Sequence, residues 1–257
     1  PRPGPGRAAR GRRTRRRVTR GSLPAAGSAA GPAPAGRLAE LAALGPYFAV
    51  DSHPPGSAAS PPWRPFGELI SAPDKLAARI GEVRARLAAA AGCATDDIEF
   101  RVAASVAQLG LCARLLSPVL GAAAAGWALS VDTMQARWVP ALGGPFRLSL
   151  PRQAEAGAAT AAPLVVLDGP VRQFAQAVAA MAVSPQVLWG NVASAANGAA
   201  AMIAAARPDL AAAAASATAT ALRYPALAGT YQGSPGAGFR RRNCCLIYRL
   251  SPPGPAR

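Results

Sequence analysis

Trp127-Ala128-Leu129-Ser130-Val131, Arg137-Trp138-Val139 and Phe146-Arg147-Leu148-Ser149-Leu150 decide the fold class of this chain. Before Trp127 the apolar residues recur at helical spacing. Here they alternate with small or polar neighbours, which is the period of a strand with one buried face. Gly143-Gly144-Pro145 separates the last two runs and marks a turn. Two or three antiparallel strands are therefore expected within residues 127–150. The chain reads as α+β, mainly helical with a small antiparallel sheet.

Working outward, residues 74–91 read as a helix. Pro73 and Asp74 suit its first turn, Leu76, Ile80, Val83 and Leu87 repeat at helical spacing, and Gly92 ends it. Residues 102–125 form a more apolar helix in which Pro118 predicts a kink or a break. The uncharged run 115–131 has 17 residues, the short limit of a membrane span. Its Ala/Gly content and Pro118 make it a buried helix instead. Residues 36–44 predict a short amphipathic helix. The proline-rich segment 45–66 predicts an extended loop that Trp63 and Phe66 fold back onto the core. Past a linker at 151–162, residues 171–181 are helical. Ser184-Pro185 then starts a long helix as N-cap and first-turn proline. That helix carries Leu188-Trp189-Gly190-Asn191-Val192-Ala193-Ser194, and Arg207-Pro208-Asp209 breaks it before an Ala-rich helix running to Leu222.

The net charge of +16 invites a nucleic-acid reading, but nine of the arginines lie in the first 20 residues, with no acid among them. Beyond Arg20 there are 19 bases against 12 acids, a net of +7, which is mild for a nucleic-acid platform. Residues 1–35 hold almost no large apolar side chain and are expected to be a disordered Arg/Pro/Gly-rich tail ahead of a domain at 36–257. The twin arginines precede no apolar segment, so they are not read as an export signal.

Four cysteines in 257 residues do not make a disulfide scaffold. Cys93 and Cys112 sit in apolar helical contexts as small core residues. Cys244 and Cys245 differ. They follow Arg240-Arg241-Arg242-Asn243 and precede the apolar Leu246-Ile247-Tyr248. Thiolates are the usual ligands of iron–sulfur clusters, and adjacent positive charge favours the ligating form. Cys244 and Cys245 are read as half of such a site. Neighbouring residues of a strand point to opposite faces, so both thiols reach one cluster only if the backbone bends or bulges there. The only histidine, His53, has no partner ligands in its loop and is not read as a metal ligand. Asp96, Asp97 and Glu99 read as a solvated helix cap.

Three segments together resemble the FhuF-like ferric siderophore reductases. The first is Phe239-Arg240-Arg241-Arg242-Asn243-Cys244-Cys245-Leu246-Ile247-Tyr248-Arg249. The second runs from Ser184-Pro185 through Leu188-Trp189-Gly190-Asn191-Val192-Ala193-Ser194-Ala195. The third runs from Arg101-Val102-Ala103-Ala104-Ser105 to Ser117-Pro118-Val119-Leu120. The resemblance covers about residues 37–250, with the cluster-binding motif beginning at Phe239.

The resemblance implies a ferric siderophore reductase. A 2Fe-2S cluster held by Cys-Cys and a later Cys-x-x-Cys passes one electron to a ferric siderophore, and Fe(II) leaves the hard oxygens that bind Fe(III) tightly. Cys244 and Cys245 match the first pair. The family spacing puts the third ligand at Ala256 and the fourth beyond Arg257, so the chain is read as ending before the second pair of thiols. The alternative is a cluster-less member that acts as a siderophore- or protein-binding module. Arg240, Arg241 and Arg242 are expected to tune the cluster or to attract an anionic ferric chelate, with ordinary surface charge as the competing reading. A cytoplasmic protein is expected, with no transmembrane span, at most peripheral to the inner face of the membrane, and with no nucleic-acid partner. The electron donor has no signature in the sequence.

Overall fold

The computed structural model describes residues 34–152, 158–243 and 246–247, with Pro1 and Gly4. The chain divides into two units, Pro1–Pro32 and Ala33–Arg257. The expected tail at 1–35 falls almost wholly outside the described residues. The second unit holds all the helices and strands found among the described residues.

Its architecture is α+β. The helices are α1 (Pro34–Ala43), α2 (Glu68–Ser71), α3 (Pro73–Ala91), α4 (Phe100–Ala124), α5 (Ala162–Val166), α6 (Arg172–Ala179), α7 (Pro185–Ala206) and α8 (Ala211–Leu222). A π-helical turn, Leu167–Val171, joins α5 to α6. One sheet holds β1 (Asp51–His53), β2 (Arg64–Pro65), β3 (Arg137–Val139) and β4 (Arg147–Pro151) in the order β1-β4-β3-β2. A second pairs β5 (Tyr231–Gln232) with β6 (Arg240–Arg241).

The apolar helix α4 is the axis of the fold. It packs most extensively on α7 and also meets α3, α8 and α5. With apolar residues on every side, it buries Val102, Leu111, Leu115, Leu116, Val119 and Leu120 together. Of the kink or break expected at Pro118, the break does not occur: one helix runs continuously from Phe100 to Ala124. The missing N–H removes one helical bond, and packing on several sides outweighs that loss. α4 and α7, at 25 and 22 residues, are long and apolar enough to cross a membrane by length and composition alone. In the most apolar window of each, 78% of α4 and 56% of α7 is buried inside the fold. α3 ends at Gly92, whose φ of 66° and ψ of 32° form the left-handed cap expected of glycine.

β3 and β4 pair antiparallel, Trp138 opposite Leu148, as the alternation predicted. The sheet is nevertheless mixed, because β1 joins β4 in parallel with Ser52 opposite Leu150. Residues 127–131 keep their alternate burial, with Leu129 and Val131 inside, but they pair with no strand among the described residues. β1 and β2 come from the proline-rich segment expected to be loop. Phe66 is fully buried there and meets Trp138 edge-on at 6.4 Å and Phe146 stacked at 6.0 Å. Trp63 lies under Arg147, 4.7 Å from its guanidinium. The fully buried Arg114 of α4 ties this region to the helix layer. It donates to the carbonyls of Phe146 and Tyr47, each at 2.8 Å, and to that of Ala49. Burial brings its pKa down to about 10, against the opposing pull of Asp51 and Tyr47.

Candidate functional site

The chain reaches the Cys-Cys motif through the β5–β6 ribbon. Tyr231 pairs with Arg241 and Gln232 with Arg240. Phe239 stacks on Tyr231 at 5.5 Å, and the Tyr231 hydroxyl donates to the Leu222 carbonyl at the end of α8. The connecting loop is held to α7, where the Gly236 amide donates to Asn197 Oδ1 at 2.7 Å. The Arg242 amide donates to the Thr230 carbonyl at 2.9 Å.

The three arginines divide by face. Arg240 and Arg242 are exposed. Arg241 is half-buried and lies on α7, with Nη2 donating to the Val187 carbonyl at 2.9 Å. Its guanidinium covers Gly190, and a Cβ at that glycine would stand 2.9 Å from Nε and 3.2 Å from Nη2. Only glycine permits that approach without displacing the arginine. Asn243 continues the attachment, with Nδ2 donating to the Gln186 carbonyl at 3.3 Å. Cys244, Cys245 and Tyr248 lie outside the described residues, and so does the bend expected between the two cysteines. On either side of them, β6 ends at Arg241 and Leu246 has a left-handed φ of 69°.

One residue after Gly190, α7 turns inward to α4. Asn191 is fully buried, and its Nδ2 lies 2.9 Å from the Ser105 carbonyl, 3.1 Å from Ser105 Oγ and 2.8 Å from Gln108 Oε1. Gln108 in turn lies 3.0 Å from Cys112 Sγ and 3.4 Å from the Leu188 carbonyl. This polar seam lies where α7 packs on α4 and satisfies the Asn191 amide nitrogen, whereas Asn191 Oδ1 is buried without a hydrogen-bond partner among the described residues. The sequence did not reveal it, because a Ser-Gln-Cys set inside an apolar helix looks like ordinary core.

The remaining candidate groups lie elsewhere. Cys112 is buried and its thiol is pushed well above the usual range by burial, so it is an inert core thiol. Cys93 was read as a core residue, but it is exposed just past the end of α3. His53 is buried on β1 with Nδ1 2.7 Å from Ser149 Oγ; burial and the Arg137 charge depress its pKa. Asp97 accepts from the Ala94 amide at 3.0 Å, Asp96 pairs with Arg84 at 3.2 Å and Glu99 with Arg101 at 2.5 Å. These acids cap and pair at the surface, as expected. Among the described residues no three His, Cys, Asp or Glu side chains form a metal-binding group.

No protein-family model matches the chain, no curated protein matches it, and no solved structure matches it. The functional reading therefore rests on the residues and their geometry.

Proposed function

We propose that this chain is a cytoplasmic ferric siderophore reductase of the FhuF-like kind, with Cys244 and Cys245 as two of the four ligands of a 2Fe-2S cluster. The observation that supports it is convergence. The three segments that carry the resemblance are far apart in sequence yet share one contact chain. Arg241 and Asn243 bond to the start of α7, Gly190 lies beneath Arg241, and Asn191 bonds to Ser105 and Gln108 of α4.

The donor chemistry fits half of a cluster's ligand set. Of the other two thiols, Cys112 is enclosed in the core and kept protonated. When bound, the cluster supplies single-electron chemistry at a potential set by nearby charge and hydrogen bonds. The chain's own residues divide the remaining work. Arg241 and Asn243 hold the start of the motif against α7. Arg240 and Arg242, exposed on the same short segment, present positive charge to an anionic ferric chelate. Reduction of the chelated Fe(III) to the larger, less charged Fe(II) weakens its hold on hard oxygens and releases it.

The test is anaerobic purification of the protein from its intact reading frame. We expect a brown protein with equimolar iron and sulfide and a visible band that bleaches on one-electron reduction. Cys244→Ser and Cys245→Ser lose the colour with helical circular dichroism unchanged, and Cys93→Ser keeps it. A colourless, iron-free product overturns the reductase reading. If that product still binds a ferric siderophore, the binding-module reading replaces it.

A further inference from the structure

We propose that the cleft between α3, α4 and the β3–β4 loop is a binding site for a small monocarboxylate with an apolar body, such as an aromatic or short-chain acid. The cleft has a volume of about 220 Å³. An apolar cavity of about 150 Å³ already accommodates benzene, so there is room here for a ring or short chain and a polar head. The walls are Val83 and Leu87 of α3, Val106 and Leu111 of α4, and Leu142 and Phe146 of the opposite side. No Asp or Glu lines it among the described residues.

Two arginines of α3 supply the charge, and they are not equivalent. Arg79 is buried and committed. It donates to Glu82 Oε2 at 2.9 Å and to the Ala141 carbonyl at 2.5 Å, and its guanidinium lies 5.6 Å from the centre of the Trp138 ring. Arg86, two turns further along the same helix, lines the cleft and is exposed. Its guanidinium lies beside Gly143, 3.2 Å from where a Cβ would stand, and it makes no ion pair among the described residues. Tyr47 also lines the cleft, and its phenol acts on the buried Arg114, countering the fall that burial imposes on that pKa. An apolar wall with one uncommitted guanidinium and one phenol matches a carboxylate head on an apolar body. A phosphate or other dianion would need more donors than this to offset its desolvation, and a cation would meet two arginines. None of the residues 239–243 lines it, and the proposal does not depend on the reductase reading.

Benzoate and 3-phenylpropionate are titrated into the full chain by calorimetry, with benzamide as the neutral isostere and benzylamine as the cation. We expect saturable one-to-one binding of at least one acid, with benzamide and benzylamine about tenfold weaker or more. Arg86→Gln should weaken the acid about tenfold, the lower end for a charge-assisted bond at a partly open site. Gly110→Leu fills the cleft and should abolish binding. Gly110 lines it, a Cβ there meets nothing within 4 Å, and the change favours the helix, so the variant folds. The proposal is overturned by any of three results: no saturation by either acid at millimolar concentration, benzamide binding as tightly as benzoate, or undiminished binding in folded Gly110→Leu.

Discussion

Gly190→Ala should change the sign of its effect on stability according to what occupies position 241. In the wild-type background the new Cβ stands 2.9 Å from Arg241 Nε and 3.2 Å from Nη2, well inside van der Waals contact. The helix backbone at Gly190 is buried and cannot retreat, so the guanidinium moves and the 2.9 Å bond to the Val187 carbonyl is lost. A hydrogen bond from a charged group contributes about 1.5–3 kcal/mol. Against this, replacing glycine by alanine in a helix interior gains about 1 kcal/mol. The wild-type background should therefore lose roughly 0.5–2 kcal/mol. With Arg241→Ala already in place there is nothing to displace, and the same Gly190→Ala should stabilise by about 1 kcal/mol. The difference between the two backgrounds is a coupling of about 1.5–3 kcal/mol. Urea unfolding followed by tryptophan fluorescence reads it, because Trp189 neighbours Gly190 and packs 5.5 Å from Tyr224. Equal effects of Gly190→Ala in the two backgrounds would refute the latch between β6 and α7.

Arg114→Met keeps much of the side-chain volume but strips the donors from three carbonyls at 47, 49 and 146. It should cost roughly 3–5 kcal/mol in urea unfolding, since buried acceptors left bare lose their full solvation. His53 has a folded pKa below its usual 6.5, so the unfolded chain binds the proton first. Stability from this group is complete above about pH 6.5 and declines as pH falls through that value towards the lowered one. His53→Gln should flatten the fall in melting temperature between about pH 7 and pH 5, and an unchanged slope would contradict the assignment. Cys93 should react with a thiol reagent in the native protein, and Cys112 only after unfolding, as peptide mapping of the labelled chain would read.

Much of the helical layer was legible in the sequence. The Leu76, Ile80, Val83, Leu87 spacing located α3 to within one residue at its start, and Ser184-Pro185 marked the beginning of α7. Pro118 suggested a break because proline is disfavoured in a helix interior in isolation, whereas here packing on several sides keeps the helix continuous through it. β1 and β2 were missed because strands of three and two residues have no measurable period. Trp127, Leu129 and Val131 alternate without pairing because their burial is against side chains and not in a ladder.

By itself the sequence determined the helical periods, the change to alternation that makes the fold α+β, and the adjacency of two thiols beside three arginines. Each of these is a property of neighbours along the chain. Only the tertiary structure decided that Arg241 faces α7 while Arg240 and Arg242 stay exposed, that β1 lies parallel to β4, and that α3 and α4 leave a cleft beside Arg86. Alternation along a strand says that successive side chains point to opposite faces, but which face is covered depends on the element packed there. At β6 that element is α7, about fifty residues away in the chain, and the absence of a side chain at Gly190 lets the arginine reach it.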